Sequence, residues 1–237
     1  MADSEWTWIH RVAAIAFVVA GVLFIVGTPF AIQARPVVAT ASDILAFVAQ
    51  NPLPLTVASL SFGVVDLLLV PAVLALYVVL RRTNKPVVAV ATAWFGLAIA
   101  FDLASRAASL SLLGLSVGFD AATDNFGRAA YAAAAEGLLG MQRWAGSLVY
   151  FLWGFYAVLV GWVMLRSPFG RPIGYIGMGS GFLGMIGCWF FITEFLGANR
   201  IALGAVLYLA IILWAAWYFL IATKLYRREA VEAAGRS

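Results

Sequence analysis

The sequence predicts an all-α, polytopic transmembrane bundle of six helices, with the N-terminus and C-terminus both cytoplasmic. Three observations predict it. Hydrophobic residues make up 64% of the chain and charged residues only 11%, whereas soluble domains carry about 25% charged residues. Such a chain cannot cover a water-facing surface. The apolar residues also come in long uninterrupted runs, which is the pattern of helices that face lipid. Finally, the runs lack strict polar–apolar alternation, which argues against a closed barrel, the other way to satisfy a backbone in hydrocarbon.

The whole chain, 1–237, reads as a single transmembrane domain. Its first span, 12–32, carries no charge and is long enough to cross the bilayer. Trp6, Trp8, His10 and Arg11 precede it as an interfacial anchor. Ala39-Thr40-Ala41 has the form of a signal-cleavage site, but it lies well beyond a run too long for a signal core, so the span is expected to be retained. Arg35 to Pro54 is a loop in which Ser42-Asp43 can cap a short interfacial helix through Gln50, ended by Pro52 and Pro54.

The second span, 55–80, contains Asp66 and Pro71 and leads into the basic turn Arg81-Arg82-Thr83-Asn84-Lys85-Pro86. The third, 87–115, holds Asp102 and Arg106. An outer loop, 116–142, follows, partly helical through its alanine-rich stretch Ala129–Ala135, which lies on the surface or extends the next span. The fourth span is 143–165, the fifth 173–196 with Glu194 near its end, and the sixth 201–223. Arg11, the turn at 81–85, Arg166, Arg171 and the tail cations Lys224, Arg227 and Arg228 all fall on one side. That side is cytoplasmic by the positive-inside rule. Val78-Val79-Leu80-Arg81 before Pro86 echoes Val163-Met164-Leu165-Arg166 before Pro172. A duplicated hairpin would produce this echo, but so would any two basic, proline-containing turns.

Ionisable residues inside the spans are the sharpest signal. Asp66, Asp102, Arg106 and Glu194 are set in hydrocarbon, where an isolated charge costs about 2.5–3.5 kcal/mol even on the lenient insertion scale. Asp102 and Arg106 are spaced i, i+4 and share a helix face with Ser105 and Ser109. Ser59, Gly63 and Asp66 form a second polar stripe, and Arg143, Ser147, Tyr150 and Gly154 a third. These stripes are expected to converge in the outer half of the bundle. With Arg106 balancing Asp102, Asp66 needs Arg143, a second bond to Arg106, or a proton of its own. The cluster reads either as a buried network that fixes helix register or as a ligand or proton site.

Gly177, Gly181 and Gly184, with Cys188, form a small-residue stripe suited to close helix packing within the bundle. Trp144 and Trp217 suit interfacial belts, while Trp94, Trp153 and Trp189 fall deeper. One histidine, His10, and one cysteine, Cys188, leave no ligand set for haem or metal, so neither is expected. No nucleotide loop, nucleophilic triad or nucleic-acid patch is present, and no catalytic residue can be assigned.

A charge-free first span, a basic turn, an arginine in the third span and Gln142-Arg143-Trp144-Ala145-Gly146 opening the fourth together resemble a bacterial six-helix membrane family. That family is known as domain of unknown function 4386. Arg171-Pro172-Ile173-Gly174-Tyr175-Ile176-Gly177, opening the fifth span, fits it too. The resemblance implies a cytoplasmic (inner) membrane location and carries no activity with it. Three functions fit the residues. The first is a non-enzymatic bundle that binds a lipid or isoprenoid ligand or serves as an accessory subunit beside other membrane subunits. The second is a small proton-coupled transporter using Asp66 and Asp102. The third is a membrane enzyme acting on an isoprenoid or lipid through a buried carboxylic acid.

Overall fold

The computed structural model describes residues 7–34, 40–196 and 200–234, with side chains described except at 7, 189–196, 200–204, 207 and 228–234. All regular structure there is helical: α1 (Thr7–Gln33), α2 (Ala41–Gln50), α3 (Pro52–Ala121), α4 (Asn125–Met164), α5 (Arg171–Leu196) and α6 (Arg200–Ala234).

Helix α3 is two membrane arms joined at one residue. Asn84 leaves the helical region (φ −156°, ψ 86°), and its Oδ1 accepts from the Val87 N–H at 3.3 Å. It thus caps the second arm, with Pro86 in the first turn where a missing N–H costs nothing. The arms fold back on each other: the Arg106 guanidinium lies 4.7 Å from the centre of the Phe62 ring. A straight helix would hold these two residues about 66 Å apart. Counting both arms, six helices among the described residues are long enough to cross the bilayer, and α2 lies outside that count because ten residues span only about 15 Å.

The second hairpin, α4–α5, turns at Ser167–Gly170. Gly170 takes φ +89°, which a side chain would strain. Above the turn the two helices touch through glycine. A Cβ on Gly154 would lie 2.5 Å from the Gly181 carbonyl oxygen, and one on Gly174 would lie 2.6 Å from that of Gly161. Both contacts are closer than real Cβ atoms show, so no other residue lets these backbones meet.

Around the bundle, α1 packs on α3 and α6, α3 on α4, α4 on α5, and α5 on α6. This closes a ring whose middle is filled by aromatic side chains. Trp153 stands 5.7 Å from Trp214, 5.6 Å from Phe24 and 5.9 Å from Phe95, ring centre to ring centre. Trp217 and Tyr218 continue the stack, with 1% and 3% of their surface exposed. Lipid is as apolar as these side chains, so dense packing holds the ring closed, not escape from water.

Two sequence expectations change here. Residues 116–142 are helical apart from a break at 122–124, because α3 runs to Ala121 and α4 starts at Asn125 under an Asp124 cap (Gly127 N–H to Oδ1, 2.6 Å). At 40 residues α4 measures about 60 Å, twice the hydrocarbon thickness, so the alanine run extends the fourth span beyond the bilayer. There it builds a second small core: Leu139 and Ala135 of α4 meet Leu112 of α3 and Ile44, Leu45 and Val48 of α2. Trp217, expected at the interface, is instead buried against Gly177. In α6 apolar residues surround the helix, and hydropathy alone cannot tell the bundle face from the lipid face.

Helix α2 is capped two residues earlier than Ser42, by Thr40. The Thr40 hydroxyl receives the Asp43 N–H at 3.3 Å, and the Asp43 carboxylate accepts from the Thr40 N–H at 2.9 Å and its hydroxyl at 2.8 Å. These bonds, the side-chain one first, hold the Asp43 carboxyl below its ordinary range.

Candidate functional site

The α3 hairpin brings three of the predicted residues together. Asp66 of the first arm has no exposed surface, and Asp102 of the second has 3%. Their carboxyl groups lie within hydrogen-bonding reach of one another. Arg106, one turn beyond Asp102, donates to its Oδ2 at 3.1 Å and pairs with its Oδ1 at 2.8 Å. The same guanidinium lies over the Phe62 ring, where the negative face of the π-system favours a cation. Among the described residues, neither oxygen of Asp66 has a hydrogen-bond donor and Arg106 Nε has no acceptor.

Other helices close the cluster. Tyr150 of α4 stands within electrostatic range of Arg106 and Asp102 and stacks on Trp214 of α6, 6.0 Å between ring centres. Tyr218 of α6 stands within electrostatic range of Asp66. Farther from the turn at Asn84 a polar chain links α4 to α3: Gln142 Nε2 donates to Ser109 Oγ at 2.7 Å, and Ser109 donates to the Ser105 carbonyl at 3.1 Å. All three residues are buried.

The remaining candidates lie elsewhere. Arg143 sits 3.8 Å from Glu136 along α4, a partly exposed pair, and does not reach Asp66. Glu194 belongs to α5, but its side chain is outside the described residues. Gly181 faces Gly154, while Gly177 and Gly184 face Trp217 and Trp214, so these glycines seat α5 between α4 and α6. Sequence reasoning gave Gln142 no polar role, because it stands where a loop seemed to end and a span to begin.

Beside the cluster lies an apolar groove of about 570 Å³. Phe101 and Ala104 of α3 form one wall, Met141, Trp144, Leu148 and Phe151 of α4 the other, and Cys188 of α5 the floor. Ser147 is its polar member. Phe101 and Ala104 flank Asp102 in sequence, so groove and cluster occupy neighbouring faces of the same helical turns. Since the lining is almost wholly hydrocarbon, hydropathy could not distinguish it from any lipid-facing surface.

Fold and site define a class: a helical membrane protein whose bundle encloses a carboxyl–guanidinium cluster beside a lipid-facing groove. Residues 12–228 match the family described as Domain of unknown function (DUF4386), and the chain belongs to that family. The chain matches no curated protein and no solved structure.

Proposed function

We propose that this protein is a non-enzymatic membrane bundle that holds the hydrocarbon chain of a lipid or isoprenoid in the groove between α3, α4 and α5. The observation that carries the reading is the groove itself. Its volume falls within the range of small-molecule sites, about 300–1,000 Å³. Aromatic rings on opposite walls give a chain a rigid apolar bed, and Ser147 supplies one polar contact. The protein acts alone or as an accessory subunit that presents this lipid to a larger membrane complex. The basic turns support a cytoplasmic-membrane orientation with both ends inside.

The groove is tested by extracting the protein in mild detergent and weighing the intact complexes by native mass spectrometry. Ala104→Trp fills the groove from its outward-facing wall without entering the core. A lipid or isoprenoid that travels with the wild type and is lost at least several-fold in this variant supports the reading. Equal lipid in both overturns it. The buried carboxyl pair favours proton coupling as a second reading, and Asp66→Asn abolishing a proton-driven uptake would select it.

A further inference from the structure

The donors and acceptors of the polar layer between the arms of α3 do not balance. Arg106 uses its guanidinium on both oxygens of Asp102, so one positive charge offsets one negative charge. Asp66 is then left with two acceptor oxygens, no exposed surface and no donor among the described residues. Across the hairpin it faces another carboxyl, that of Asp102. Two carboxylates only repel, whereas a carboxylic acid and a carboxylate form a short, strong hydrogen bond.

We propose that Asp66 and Asp102 bind a single proton between them, the O–H of one carboxyl donating to an oxygen of the other, so that the α3 hairpin is a proton-binding site inside the bundle. The proton comes from water and leaves the cluster with no net charge: one acid, one carboxylate and one guanidinium. Among the described residues, the groups facing the pair are Arg106 from the second arm, Tyr150 from α4 and Tyr218 from α6. Phe24 of α1 sits at this level, 5.4 Å from Phe62 and 6.4 Å from Tyr218. None of these donates to Asp66, and Arg143, the other cation the sequence offered, is engaged by Glu136. Once the proton is removed, two negative charges face each other across the hairpin with one cation between them. The site therefore ties the contact between the two arms to proton occupancy.

Infrared spectroscopy of the purified protein in lipid nanodiscs, with ¹³C-labelled aspartate, tests this directly. The wild type at neutral pH should show the carbonyl stretch of a hydrogen-bonded carboxylic acid, shifted by the label and by deuterium. Asp66→Asn and Asp102→Asn should each abolish it, because either leaves a single carboxylate with Arg106. Asp120→Asn, at the outer end of α3, should leave it intact. The Asp66→Asn variant should also fold, since an amide N–H donates to Asp102 where the acid O–H did. Should that variant fail to assemble, the wild-type spectrum alone decides: no acid band at neutral pH overturns the proposal, as does a band that survives in Asp66→Asn. Neither result bears on lipid in the groove.

Discussion

Asp66 and Asp102 lie equally far along the chain from Asn84 and meet across the α3 hairpin, with Phe62 and Arg106 forming the next such rung. The turn therefore sets the register of the charged layer. Each arm carries its two residues at i, i+4, on one helix face, and the antiparallel arms on either side of Asn84 bring the faces together. The pair stands about 27 Å from the turn, in the half of the hydrocarbon away from Arg81, Arg82 and Lys85.

The Asp102–Arg106 bond gives the first prediction. Asp102→Ala removes the hydrogen-bonded acceptor of a guanidinium whose side chain is 25% exposed and leaves Asp66, across the hairpin, to balance its charge, so the cost falls below the 3–5 kcal/mol of a fully buried pair; we expect about 1–3 kcal/mol. Pairing it with Arg106→Gln removes the poorly bonded cation and lets Asp66 stay neutral, and should restore more than half of the loss. Unfolding by sodium dodecyl sulfate in mixed micelles measures both. A double variant as unstable as the single one would contradict the charge argument.

The number of spans and the charged face of the third were legible in the sequence because both rest on strong, local penalties. Hydrocarbon tolerates neither an unbonded backbone nor an isolated ion. Span ends were not legible, because α3 and α4 continue past the bilayer on helical residues such as Ala129 and Ala130, which look like loop beside Asp124 and Arg128. The inner face of α6 was hidden too. Trp214 and Trp217 are buried while Ile212, with 62% of its surface exposed, meets lipid, and all three are apolar. The meeting of Asp66 with Asp102 was readable in principle, from the position of Asn84 alone, once the turn was known to be one residue wide.

The glycine contacts between α4 and α5 give the second prediction. Gly181→Ala drives a methyl group into the Gly154 carbonyl and Val158, and backbone atoms on both sides leave little room to yield. The expected loss is about 1–3 kcal/mol, with weaker crosslinking between cysteines placed on the two helices. Gly63→Ala meets no atom within 4 Å and should leave stability unchanged. Equal effects at both positions would mean that α4 and α5 do not meet at glycine.

Acidification should loosen α2. The Asp43 carboxyl is held low by Thr40, so its ionised form is favoured in the folded state. The stabilisation is present above the ordinary aspartate range, near pH 4, and is lost as pH falls through the lower folded value. Amide exchange at Ile44 should rise on that descent, and Asp43→Asn should bring the faster exchange to neutral pH. Exchange at Ile44 that ignores pH in the wild type would rule out the capping box as the cause.

The proposed orientation, with both ends cytoplasmic, rests on which turns carry the cations. Thr83 and Asn84 lie beside Trp162 and Arg166 in one small cleft, so the two basic turns emerge at the same end of the bundle, and the break at 122–124 emerges at the other. Positive residues stay on the cytoplasmic side because moving them across the membrane opposes the potential. On a Cys188→Ala background, Thr123→Cys should react with a membrane-impermeant maleimide added to intact cells, and Lys85→Cys should react only after the membrane is opened. The reverse pattern would invert the bundle, and with it the side from which lipid enters the groove and protons reach Asp66.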